Sequence, residues 1–132
     1  MDSSSTHDNA LIVPAPRYEF EHHRLDAWKV ALQALVLGDQ IARGLPRGYG
    51  SLKDQLTRAL LGAFLQTTEG AARTGADRLC RLRAARAEAS EAAAATEAAG
   101  RLGLAKPQLV EQELGLLWRL CAMLTKLARL GR

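Results

Sequence analysis

Aromatic residues are scarce in this chain, with two each of Phe, Tyr and Trp, or 5% of 132 residues. Few large side chains are on hand to fill a core. Leucine and alanine must do so, and alanine contributes little because burial energy scales with apolar area. Cysteine is rarer still: Cys80 and Cys121 are the only two, and they lack CxxC spacing. That sets aside a disulfide framework and a zinc ribbon. Both fall inside helical patterns, where they read as reduced thiols serving as small core hydrophobes.

Histidine is confined to the first part of the chain, as His7, His22 and His23. Ser90 and the thiols therefore have no imidazole base within the helical region to activate them. Glu19-Phe20-Glu21-His22 has the Glu-x-x-His spacing of di-iron bundles. Such a site needs a second pair of that kind and two further glutamates, so no metal is expected. Strand patterns are missing, so no glycine-rich loop follows a strand to cradle phosphate, and the glycines around Tyr49 read as a turn. Together these gaps point away from an enzyme, a cofactor or a small-molecule substrate.

Long apolar runs are missing too: none nears the roughly 20 residues of a membrane span, so no membrane partner is expected. No basic segment precedes an apolar stretch at the N-terminus, so a signal peptide is not expected and the cytoplasm is the expected compartment.

What is present is helical periodicity. At 14.3 kDa and 48% hydrophobic residues, the chain suits one domain. Residues 1–17 read as a tail, because Pro14-Ala15-Pro16 favours extended backbone. The plain reading of this tail is a poorly ordered leader. The alternative makes its Leu11-Ile12-Val13 patch a docking strip for a neighbouring subunit or partner. Residues 18–132 form the bundle domain.

Leu25, Trp28, Leu32 and Leu35 recur at helical steps and predict a first helix over 25–43. The Gly- and Pro-rich segment 44–50 ends it. A second helix is expected from Ser51, whose hydroxyl would cap the first turn with Asp54 in the capping-box position. Its inner face is Leu52, Leu56, Ala59, Ala63 and Thr67, with Leu61, Phe64 and Leu65 off that face. It should end near Thr74-Gly75. The third helix, over 77–100, carries an alanine tract that needs little tertiary help to be helical. Pro107 suits the first turn of a fourth helix.

That fourth helix has Val110, Leu117 and Leu124 on one line, with Leu114, Cys121 and Ala128 beside it. Leu109, Leu116, Met123 and Leu130 form a further line, and Gln112, Arg119 and Lys126 mark the one clearly polar stripe. So wide an apolar arc predicts a subunit interface. Four helices with short connections imply an all-α, up-down-up-down antiparallel bundle.

The net charge is +4, and acidic residues outnumber basic ones over residues 1–24, so the helical body carries the positive charge. Arg58, Arg73, Arg78, Arg81, Arg83 and Arg86 are the candidate contacts to phosphate, since such groups release counterions on binding nucleic acid. The competing reading is a solvated face paired with Glu69, Asp77 and Glu88. No aromatic run accompanies the arginines, so base stacking is not indicated.

The stretches 25–31, Leu45-Pro46, 55–59 and Glu69-Gly70 keep a fixed order, and over about residues 18–130 that order resembles a bacterial four-helix-bundle family first met as proteins encoded in intervening sequences of 23S rRNA genes. Members carry F-x-x-L-x-V-W-x-x-A, a Phe-Pro or Leu-Pro turn, Q-[IL]-x-R-A-A, N-I-A-E-G and A-x-G-S-x-x-E ahead of L-G. Here stand Leu25-Asp26-Ala27-Trp28-Lys29-Val30-Ala31, Leu45-Pro46, Tyr49-Gly50 and Gln55-Leu56-Thr57-Arg58-Ala59. Glu69-Gly70, Asp77, Ala85, Glu91 and Leu102-Gly103 follow in register. Gln66 replaces the family's asparagine, and Ala87-Glu88 replaces Gly-Ser.

The resemblance implies a homopentameric barrel. A related group, the accessory variability determinants of diversity-generating retroelements, implies a nucleic-acid or reverse-transcriptase partner. The functional expectation is a non-enzymatic homo-oligomer, a pentamer by this resemblance, that binds structured RNA or a nucleoprotein through its arginines. Glu69 and Glu91 would order the bundle through polar bonds. The alternative is a scaffold subunit whose tail or apolar face docks another protein.

Overall fold

The computed structural model describes residues 19–130. The tail read over residues 1–17 lies outside them. A short 3-10 turn, Glu21–Arg24, precedes four helices: α1 Asp26–Arg43, α2 Gly50–Ala72, α3 Gly75–Arg101 and α4 Pro107–Leu130. No strand occurs among the described residues. Each helix packs on its neighbours in sequence, and α1 also packs on α4, closing a four-helix bundle. Among the described residues no helix is long and apolar enough to cross a membrane.

The core is as alanine-rich as the composition implies. Ala27, Ala31 and Ala34 of α1 and Ala85, Ala89 and Ala92 of α3 are buried, and leucines fill the spaces between them. Leu56, Leu60, Leu82, Leu117, Leu120 and Leu124 supply most of the buried bulk. Small residues let helices approach closely. A β-carbon at Gly70 would stand 2.8 Å from Leu82 Cδ2, and one at Gly100 would stand 2.9 Å from Val110 Cγ1.

The register of α3 against α4 follows from three contacts. Arg86 meets Thr125, Ser90 meets Cys121, and Gly100 meets Val110. Rising numbers on one helix meet falling numbers on the other. Between them, Gly103 takes φ +71°. The Leu104 amide donates to the Ala99 carbonyl and the Gly103 amide to the Gly100 carbonyl. This is a Schellman ending, which requires left-handed backbone and so favours glycine.

Several expectations need correction. The second helix starts at Gly50, with Tyr49 at the cap position and no side-chain cap bond. The Lys53 amide already donates to the Tyr49 carbonyl, so Ser51 sits inside the first turn, past the place where its hydroxyl could cap. Thr74-Gly75 does not end α2 but opens α3. Cys80 is exposed and not a core residue, whereas Cys121 is half-buried. Cys80 stands two positions from buried Leu82, and such neighbours point to opposite sides of a helix. The outer line of α4 is also less free than its width implies: Leu109, Leu116 and Met123 lie half-buried against the core, and only Leu130 is exposed.

Candidate functional site

The six candidate arginines divide by what holds them. Arg73 bridges Glu69 at 2.8 Å and Asp77 at 2.9 Å, and those bonds, to Glu69 first, hold its guanidinium above its ordinary range. Arg78 donates from Nη1 to the Gly70 carbonyl at 2.8 Å, tying α3 to the end of α2. Arg81 faces Asp77 at 3.6 Å and donates from Nη1 to Gln66 Oε1 of α2 at 3.5 Å, while its Nε is buried without a hydrogen-bond partner. These three therefore staple the α2–α3 corner.

Arg86 lies further along α3 and donates from Nε to Thr125 Oγ1 at 2.7 Å. Arg58 and Arg83 are exposed and form no ion pair among the described residues. The structure thus brings Arg73 and Arg81 to Asp77, holds Arg78 at the Gly70 carbonyl, and leaves Arg58 on another helix. Glu69 accepts from Arg73, four residues further on. Glu91 is exposed, and Glu88 lies over Gly62, 2.9 Å from where a β-carbon there would stand.

Near the first turn, the Trp28 ring packs between His22 and Phe64 and donates from Nε1 to Thr68 Oγ1 at 3.0 Å. Burial, and then the neighbouring His23, hold the His22 imidazole below its ordinary range. Glu19 of the Glu-x-x-His spacing is instead paired with Arg24 at 2.8 Å. Among the described residues no three His, Cys, Asp or Glu side chains gather closely enough to hold a metal ion.

Two features escape the sequence reading. The first is a groove between α3 and α4. One hollow of about 710 Å³ is lined by Arg86, Ser90, Ala93, Glu97, Trp118 and Thr125 among others. An adjoining hollow continues past Gly100, Val110 and Gly115. Trp118 stands 74% exposed at its side, a large apolar surface left in water. On α2, Leu61 and Leu65 are 45% and 50% exposed.

The second is Glu113, fully buried on the core side of α4 with neither carboxylate oxygen hydrogen-bonded. It lies against Gly38 of α1, where a β-carbon would collide with both Glu113 Oε2 and Leu60 Cδ1. Burial pushes its pKa up to about 8, so near neutral pH it is mostly a neutral acid. The signal for it was its spacing: Val110, Glu113, Leu117, Leu120 and Leu124 are the buried positions of α4, and Glu113 occupies one of them.

No protein-family model matches this chain, and no curated protein matches it in sequence.

Proposed function

We propose that this chain is a non-enzymatic bundle subunit that assembles with copies of itself and meets its partner on the assembled surface. The observation that carries this reading is Trp118, exposed beside a groove floored by alanine and leucine. Aromatic side chains of this kind anchor interfaces because they bury much area at small entropic cost. The exposed Leu61 and Leu65 add a second apolar strip. The up-down-up-down order belongs to this proposal and is supported by the opposed register of α3 and α4. The resemblance to the intervening-sequence family implies five copies in a barrel, whereas the exposed faces call for a partner surface without setting the number. The compartment proposed is the cytoplasm, which would suit two free thiols.

Light scattering on the eluting peak of a size-exclusion column tests it. A multiple of 14.3 kDa at tens of micromolar is expected, and a monomer there overturns the reading.

A second reading keeps structured RNA or a nucleoprotein, such as the reverse transcriptase the resemblance implies, as the partner. It is favoured by Arg58 and Arg83, both exposed and outside every ion pair among the described residues. Binding that weakens steeply with salt is expected from phosphate contacts. RNA affinity that is absent at low salt, or indifferent to salt, removes it.

A further inference from the structure

The α3–α4 groove carries opposite charges at its two ends and an aromatic side chain midway. Arg86 and Glu97 line the same hollow and are separated by roughly 16 Å at the helical rise. Arg86 is fixed by its bond to Thr125 yet stays exposed. Glu97 is exposed and forms no ion pair among the described residues. Their midpoint falls between Ser90 and Ala93, both small and both lining the hollow.

The Arg86–Thr125, Ser90–Cys121 and Gly100–Val110 contacts fix the level of α4. They bring Trp118 level with Ala93, within about 2 Å of the midpoint along the axis. Past Glu97 the adjoining hollow holds Glu111 and Arg101, so its acidic side chains outnumber its basic one.

A half-turn about that midpoint exchanges the two ends. Glu97 then stands where Arg86 was, and Arg86 where Glu97 was. A surface with this property complements itself, as an isologous contact requires. We propose that a second copy of this chain packs on the α3–α4 groove about a two-fold axis near Ser90 and Ala93. Each Arg86 then faces the other copy's Glu97, and the two Trp118 rings lie beside the axis. Ser90 and Ala93 are small enough to leave room on the axis for the two indoles. The aromatic centre with a charged rim is the usual anatomy of an interface. This inference rests on the self-assembly reading above, and it yields a dimer, not the five-membered barrel that the resemblance implies.

The test is a charge-reversal cycle followed by light scattering, with circular dichroism to check that each variant is folded. Arg86→Glu and Glu97→Arg each place like charges at both ends, which should weaken the dimer by about a hundredfold. Mixing the two variants restores both pairs and the dimer mass, as does the double variant alone. Trp118→Ala, at an exposed position that leaves the core intact, should weaken association by a similar factor.

A monomeric wild-type protein overturns both this inference and the reading it rests on. An oligomer indifferent to all three single substitutions, or one of pentamer mass, overturns the two-fold groove contact alone and leaves self-assembly standing.

Discussion

Gly38 and Glu113 face each other across the α1–α4 seam, and the glycine's missing side chain is the space the carboxyl group occupies. A β-carbon on Gly38 would collide with Glu113 Oε2 and with Leu60 Cδ1. Gly38→Ala should therefore cost about 1–3 kcal/mol through overpacking, although alanine is the better helix former. Thermal melting checks it; a variant as stable as the parent would show that Leu60 and Glu113 move aside freely.

Glu113 should make stability fall as pH rises. Its folded pKa, about 8, lies above the ordinary 4.5, so the folded state keeps a proton that the unfolded chain releases. The contribution is full below about 4.5, declines as pH climbs towards 8, and is flat beyond. His22, held low by burial, has the opposite slope, with stability lost as pH falls below its ordinary 6.5. Melting Glu113→Gln and wild type side by side from pH 5 to 9 isolates the carboxyl. The variant should lose the decline, and parallel curves would contradict the assignment.

Replacing Glu113 by Leu should stabilise the protein at pH 8. The carboxyl is buried with neither oxygen bonded, and a buried polar group left unsatisfied costs about 1–3 kcal/mol, a cost that leucine does not carry. A lower denaturation midpoint for Glu113→Leu in urea would mean that Glu113 has a partner after all.

Thr68→Val removes the acceptor for Trp28 Nε1 while keeping the shape of the side chain. A loss of about 1–2 kcal/mol is expected from the unsatisfied indole N–H, measurable by calorimetry. No loss would mean that water reaches the indole.

The arginines should sort by function as they do by bonding. Arg73→Ala breaks the corner bridge to Glu69 and Asp77, an exposed network, and should shift the melting point only slightly. Arg58→Ala and Arg83→Ala should leave stability unchanged. If RNA is the partner, each should lower the salt dependence of its binding by about one counterion. A titration in which Arg73 mattered most would reverse this assignment.

Helix identity was readable where one face dominates. The three- and four-residue steps of α1 and α4 mark their buried sides, and the alanine tract marks α3 by propensity. Glu113 was missed because a carboxylate reads as surface by its chemistry, even at a core position of the period. Only the opposing Gly38, 75 residues away in sequence, makes room for it. Trp118 adjoins buried Leu117 and falls between the stripes. Whether such a residue is covered depends on which helix stands beside it, a fact of tertiary packing. The arginine corner was visible as a cluster, but the choice between phosphate contact and internal pairing lay in geometry around Asp77.

The alanine tract of α3 also shapes the state from which the protein folds. Residues 84–99 hold ten alanines, and so strong a local preference persists after the leucine contacts are gone. The denatured chain should keep fluctuating helix there, and its far-ultraviolet ellipticity should stay more negative than a coil's. Substitutions on the exposed side of this tract, such as Ala94→Gly, therefore weaken the starting ensemble and the finished bundle together. Their equilibrium effect should be smaller than the roughly 1 kcal/mol of the helix scale.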